Sequence, residues 1–218
     1  MTQSLKSAPW PALRRHMVAI LRGITPADIV AVGTALIEAG FEAIEVPLNS
    51  PDALVSIAEL VRLAPPQILV GAGTVLNPEE VAALADTGAR LLVAPNIDVA
   101  VLQAAAARHM VTMPGVFSPS EAFAALRAGA SALKFFPAAV LGPSGISAIR
   151  AVLPPDCPVG AVGGVSAKDF AAYMRIGVRL FGLGTSLYAP GEAAGPVGVK
   201  ARAAVAAYDL AASGDARA

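Results

Sequence analysis

Eight short apolar runs, each followed by a stretch of helical period, constrain this chain more than any other feature. The runs fall at residues 18–21, 43–48, 68–71, 91–94, 110–113, 132–135, 159–162 and 180–183. None alternates in polarity. Short bounded runs of that kind read as strands buried on both faces, which implies a parallel sheet. The stretches between them include 26–39, 51–63, 78–86, 99–108, 120–126 and 167–174. Several open with a capping side chain and then proline: Thr25-Pro26, Ser50-Pro51, Asn77-Pro78 and Ser118-Pro119. That pair is a helix-start signature. Ala39-Gly40 and Ala128-Gly129 close two of the stretches, where glycine supplies the left-handed residue after the last turn.

The repeat recurs about every twenty-two residues, which suits strand-then-helix units rather than hairpins. Eight units predict an α/β fold, a small (β/α)8 TIM barrel, with a doubly wound open sheet as the competing arrangement. No linker, low-complexity tract or charge block divides the chain, so one domain spans 1–218 with a barrel core at about 18–191. Residues 1–17 are expected to form a capping helix whose Leu13, Met17 and Trp10 cover the barrel floor. Residues 196–212 are expected to form a C-terminal helix stopped by Ser213-Gly214.

Composition removes several function classes. The formal net charge is zero and no basic cluster exists, which argues against a nucleic-acid partner. No run has the uninterrupted apolar character of a membrane span, and the N-terminus lacks a signal core, so a cytoplasmic protein is expected. One cysteine, Cys157, supports neither a disulfide framework nor a thiolate metal site. The two histidines, His16 and His109, lie far apart, and both read as structural, so neither a metal nor another cofactor is expected.

In such a barrel, catalytic groups come from the C-terminal ends of several strands. Those ends carry Arg22, Glu45, Thr74, Asn96, Lys134, Gly163-Gly164 and Gly184-Thr185. Lys134 is the sharpest signal. Lysines number four against twelve arginines, and this one stands in an otherwise uncharged strand. Burial would lower its pKa and free the amine as a nucleophile; a structural lysine paired with a carboxylate is the plainer alternative. Glu45 sits among Ala43, Ile44 and Val46, where burial would raise its pKa and suit it to pass protons near neutrality. Its alternative is to act as the ion-pair partner of Arg22 or Lys134. Gly163-Gly164 and Gly184-Thr185, after the last two strands, read as a phosphate cradle or simply as tight turns. Arg22 can clamp a carboxylate through a bidentate contact, or be an exposed rim arginine, and Thr74 can donate to the same carboxylate or to the keto oxygen.

Five segments carry a resemblance. Glu45-Val46-Pro47-Leu48-Asn49-Ser50-Pro51, Gly71-Ala72-Gly73-Thr74-Val75-Leu76 and Lys134-Phe135-Phe136-Pro137-Ala138 resemble the 2-keto-3-deoxy-6-phosphogluconate (KDPG) and -galactonate (KDPGal) aldolases. So do Ala161-Val162-Gly163-Gly164-Val165 and Gly182-Leu183-Gly184-Thr185-Ser186-Leu187-Tyr188, in one register over 18–191. The resemblance implies a metal-free class I aldolase, commonly a homotrimer, acting on a phosphorylated 2-keto-3-deoxy sugar acid. It makes Lys134 the Schiff-base residue and Glu45 the proton shuttle. It aligns Arg22 and Thr74 with the substrate carboxylate, and Gly163, Gly164 and Thr185 with the phosphate. Phosphogluconate-specific relatives typically read Glu-Val-Thr-Leu-Arg-Thr where this chain has Pro47, Asn49 and Ser50, and Pro-Gly where it has Pro95-Asn96. Both departures look like the galactonate branch. Without a cation at position 49, phosphate binding leans on the backbone cradle. The gluconate epimer, dual specificity and a non-enzymatic phosphosugar-sensing barrel are the competing readings.

Overall fold

The computed structural model describes residues 6–215. Among them are nine strands: β1 (Met17–Ile20), β2 (Ala43–Pro47), β3 (Leu69–Gly73), β4 (Leu91–Val93), β5 (Val111–Met113), β6 (Gly115–Val116), β7 (Leu133–Phe135), β8 (Val159–Val162) and β9 (Leu180–Leu183). The helices are α1 (Pro26–Ala39), α2 (Ala53–Leu63), α3 (Pro78–Asp86), α4 (Val99–Ala106), α5 (Pro119–Arg127), α6 (Ala138–Arg150), α7 (Phe170–Arg175) and α8 (Ala194–Asp215). A short 3-10 turn, Ala167–Asp169, precedes α7.

All pairings are parallel, in the order β5-β4-β3-β2-β1-β9-β8-β7-β6. The sequence implies eight strands and the structure has nine, because Pro114 divides one barrel position into β5 and β6. Proline has no N–H to give to the ladder. Its carbonyl still works: Lys134 N–H donates to Pro114 O at 2.9 Å, and Ala132 N–H to Thr112 O at 3.1 Å. The barrel therefore closes across the break.

Alternation along each strand sorts the side chains into two layers. Val18 and Ile20, Ala43, Leu69, Leu91 and Val93, Val111 and Met113, Ala132, Val162 and Leu180 form one buried cluster, the lumen. Their neighbours, such as Met17, Ala19, Ile44, Val46, Leu92, Leu133, Phe135 and Phe181, pack outward against the helices. Carrying the inward phase one step further puts Glu45 above Ala43, Lys134 above Ala132 and Phe136 above Lys134.

Helix starts follow the capping signals with one informative exception. Asn77 accepts from Glu80 N–H, and Ser118 forms a reciprocal capping box with Glu121. Ser50 does not cap α2, which starts at Ala53 after Asp52; its hydroxyl instead accepts from Gly23 N–H at 2.9 Å. Helix α6 carries no clean period, since Gly142 (φ 64°) and Pro143 kink it. Helix α8 runs through Ser213-Gly214 rather than stopping there, with Ser213 Oγ bonded back to Leu210 O.

The expected helix over 1–17 is not formed by residues 6–16, and residues 1–5 lie outside the described residues. Pro9 and Pro11 cannot supply helical donors, and the segment runs extended, with a parallel bridge between Ala8 and Val111. Trp10 and Leu13 nevertheless pack on the lumen cluster, while Met17 begins β1 and faces the helices. Buried hydroxyls hold this strap. Thr112 Oγ1 donates to Ser7 Oγ at 2.9 Å, Thr112 N–H donates to Ser131 Oγ at 2.8 Å, and Ser131 Oγ donates to Ala8 O. Thr112→Val keeps the shape and strands the partners. It should cost about 1–3 kcal/mol and lower Tm by roughly 2–12 °C in thermal unfolding. An unchanged Tm would mean that the strap is anchored elsewhere.

Candidate active site

Glu45 and Lys134 are the only charged side chains buried among the described residues, 2 % and 7 % exposed. Register explains how a narrow lumen admits them. Lys134 stands between Gly115 on β6 and Gly160 on β8, and Glu45 stands between Ile20 on β1 and Gly71 on β3. A Cβ at Gly160 would lie 2.5 Å from Leu180 Cδ2, and one at Gly115 would strike the Pro95 carbonyl. Glycine on both sides leaves the lysine its space. At Gly73 a Cβ would collide with both Glu45 carboxylate oxygens, so the glutamate lies flat across that residue.

These side chains open into a cavity of about 210 Å³ at the C-terminal end of the barrel. Its lining includes Ile20, Arg22, Glu45, Thr74, Lys134, Phe136, Val162, Gly163, Gly164, Gly184 and Thr185. Larger hollows lie elsewhere, among them one of about 480 Å³ beneath the barrel beside Trp10 and His16 and one of about 420 Å³ between α7 and α8. Neither holds a buried charge, so chemistry rather than volume places the site.

Burial pushes the Glu45 carboxyl up to about 7, against the pull of Lys134 and Arg22, whose positive charges favour the ionised form. Burial likewise brings the Lys134 amine down to about 8; Glu45 opposes that shift and Arg22 adds to it. Glu45 Oε2 has no hydrogen-bond partner. Lys134 Nζ stands 4.5 Å from the centre of the Phe136 ring, a cation–π contact. The site therefore holds a weakly basic amine beside a weakly acidic carboxyl, and a proton moves between them or to a ligand at little cost.

At the rim, Arg22 Nη1 donates to Asn49 Oδ1 at 2.5 Å, and Nη2 approaches Thr74 Oγ1 at 3.5 Å. Thr74 itself has a left-handed backbone, φ 57°. Opposite them, Gly163 and Gly164 take φ 89° and 74°, a conformation that glycine adopts without penalty. A Cβ at Gly164 would sit 2.5 Å from Ala139 Cβ, whereas one at Gly184 would meet nothing within 4 Å. The space over Gly184 is open to a ligand.

The structure thus brings together Arg22, Glu45, Thr74, Lys134, Gly163, Gly164, Gly184 and Thr185. Asn96 is not with them. It is exposed after β4, its amide directed at Ile97 O, while its backbone carbonyl accepts from Gly115 N–H. Phe136 is the residue that motif reading passes over, although its spacing two residues beyond Lys134 puts both on one face. His16 Nδ1 accepts from Trp10 Nε1–H at 3.0 Å and His109 is exposed in a turn, both away from the cavity. Burial pushes the Cys157 thiol up to about 11. Among the described residues no three His, Cys, Asp or Glu side chains are grouped to hold a metal ion, and no helix is long and apolar enough to cross a membrane.

Known proteins share this arrangement. The KDPG and KHG aldolase family matches residues 12–194. A probable 2-dehydro-3-deoxy-6-phosphogalactonate aldolase of Rhizobium meliloti (strain 1021) is 59% identical over 201 residues, 92% of this chain and 95% of that protein. The 2-dehydro-3-deoxy-6-phosphogalactonate aldolase of Escherichia coli (strain K12) is 46% identical over 192 residues, 88% and 94% of the two chains. A solved native KDPGal structure superposes with a TM-score of 0.91 at 44% identity, covering 94% of this chain and 99% of the other. The buried lysine and glutamate thus sit in a barrel shared with proteins named for carbon–carbon cleavage: the chain belongs to the KDPG and KHG aldolase family and is a carbon–carbon lyase.

Proposed function

We propose that the chain cleaves 2-dehydro-3-deoxy-6-phosphogalactonate to pyruvate and glyceraldehyde 3-phosphate through a Schiff base on Lys134. The observation that carries this reading is the enclosure of one amine and one carboxyl, tuned to about 8 and about 7, in a single cavity. A sensor has no use for two such buried groups.

Each residue takes a role that its position supports. Neutral Lys134 adds through Nζ to the C2 ketone, and loss of water leaves a protonated imine. The Glu45 carboxylate, directly or through one water, takes the C4 hydroxyl proton. The C3–C4 bond then breaks, its electron pair passes into the imine to give an enamine, and glyceraldehyde 3-phosphate departs. Protonation of the enamine at C3 by Glu45 and hydrolysis of the imine free pyruvate and the lysine. Arg22 and Thr74, at one side of the mouth, suit the C1 carboxylate. Gly163, Gly164, Gly184 and Thr185, at the other, present backbone and a hydroxyl to the phosphate.

Pro47 and Asn49, together with the names of the two relatives, favour the galactonate epimer. Asn96 lies outside the cavity lining. Two further readings accompany this one. A homotrimer is supported by exposed apolar side chains following three consecutive barrel positions, Leu76 after β3, Val99 at the start of α4 and Phe117 after β6, which a second copy could cover. A cytoplasmic setting is supported by the substrate, a phosphate ester too charged to cross a bilayer unaided.

Borohydride reduction in the presence of pyruvate should leave a stable adduct on the Lys134 peptide by mass spectrometry, and Lys134→Arg should abolish it. An unmodified Lys134 would sink the Schiff-base reading. In Glu45→Gln the carboxylate that raises the lysine pKa is gone, so Lys134 loses its proton at lower pH. The pH midpoint of imine trapping should move down from that of the unsubstituted protein; a shift upward would contradict the assignment. For the two C4 epimers, kcat/KM should favour galactonate by about tenfold or more, with equal or reversed values overturning that preference.

A further inference from the structure

We propose that Asn49 is a positioning residue that fixes the Arg22 guanidinium at the cavity mouth, so that Arg22 holds the carboxylate of the keto acid in one place. The inference rests on the Schiff-base reading above, and it assigns a residue that does not itself line the cavity.

Arg22 follows β1 and is exposed, with several rotatable bonds between backbone and charge. Left alone, such a side chain samples many positions, and ordering it on binding costs affinity. Here it is already ordered. Nη1 donates to Asn49 Oδ1 at 2.5 Å and Nη2 leans toward Thr74 Oγ1 at 3.5 Å. The remaining donors of the fork stay free for a second planar acceptor, which is what a carboxylate supplies.

Asn49 can do this because its own segment is held. Ser50 N–H donates to Pro47 O at 2.9 Å, closing a turn, and Leu48 N–H donates to Gly73 O at 2.8 Å. Buried Ser50 then accepts from Gly23 N–H at 2.9 Å. The consecutive residues Asn49 and Ser50 thus grip the consecutive residues Arg22 and Gly23, side chain to side chain and side chain to backbone. An amide suits the task better than a carboxylate or an arginine. It accepts from Arg22 without cancelling the charge that the substrate needs, and without repelling it.

Aldol synthesis separates the two ends of the ligand. Pyruvate carries the carboxylate, and the acceptor aldehyde carries the phosphate. Asn49→Leu keeps volume and removes the acceptor, while the Ser50 bond and the core are untouched. It should raise KM for pyruvate about tenfold, as expected when a hydrogen bond to a charged group is lost, with kcat and the aldehyde KM changed less than about twofold. Because Asn49 acts through Arg22, the same substitution in an Arg22→Leu background should add nothing further. A raised aldehyde KM instead of a raised pyruvate KM would place the pair at the phosphate end and overturn the proposal. Additive effects in the double variant, or a lowered Tm with parallel loss of kcat, would overturn it as well. Borohydride trapping at saturating pyruvate runs alongside. An adduct on Lys134 with unchanged pyruvate KM in Asn49→Leu removes this inference alone. No adduct in the unsubstituted protein removes the Schiff-base reading and this inference with it.

Discussion

Two ionisable groups enclosed in an apolar barrel are the constraint around which the rest of the molecule is arranged. Taking either charge out of water is expensive, and the attraction between Glu45 and Lys134 offsets only part of that cost. The remainder appears as displaced proton affinities, the carboxyl up to about 7 and the amine down to about 8. Those displacements make the site reactive, since both groups exchange protons near neutral pH. Folding alone gains nothing from the pair. The outward layer, where Phe41, Ile44, Leu60, Phe135 and Phe181 are fully buried, supplies the hydrophobic stabilisation instead.

Division of labour between the two layers also explains the glycines. An eight-position barrel has an interior just wide enough for side chains to fill. Where Lys134 enters it, both register neighbours lose their side chains; where Glu45 lies, Gly73 does. Further out, Gly163 and Gly164 turn the backbone itself toward the cavity. The mouth is built differently, from polar residues in loops that hold one another: Asn49 on Arg22, Ser50 on Gly23.

Much of this was legible in the sequence, for identifiable reasons. Strands buried on both faces leave uninterrupted apolar runs, and the capping residues with prolines punctuate them, so most elements fall within a few residues of expectation. Lys134 and Glu45 stand out because Lys and Glu are almost never fully buried unless paired. The misses share a different cause. The helix expected over residues 1–17 is replaced at residues 6–16 by a strap because Ser7, Thr112 and Ser131, distant in sequence, bond in space. Ser50 left its capping role for Gly23 on another loop. Asn96 follows a strand end as Lys134 does, yet its loop carries it outside the cavity. Each of these depends on a long-range contact that local pattern does not encode.

Glu45 and Lys134 share one low-polarity site that brings their proton affinities close together. Carbon-13 NMR titration of the Glu45 carboxyl and the Lys134 Cε tests this most directly. The pair should titrate with apparent values near 7 and 8, and replacing either residue should move the other's midpoint. Midpoints near 4.5 and 10.5, each unmoved by loss of its partner, would show two solvated, independent groups and contradict the account.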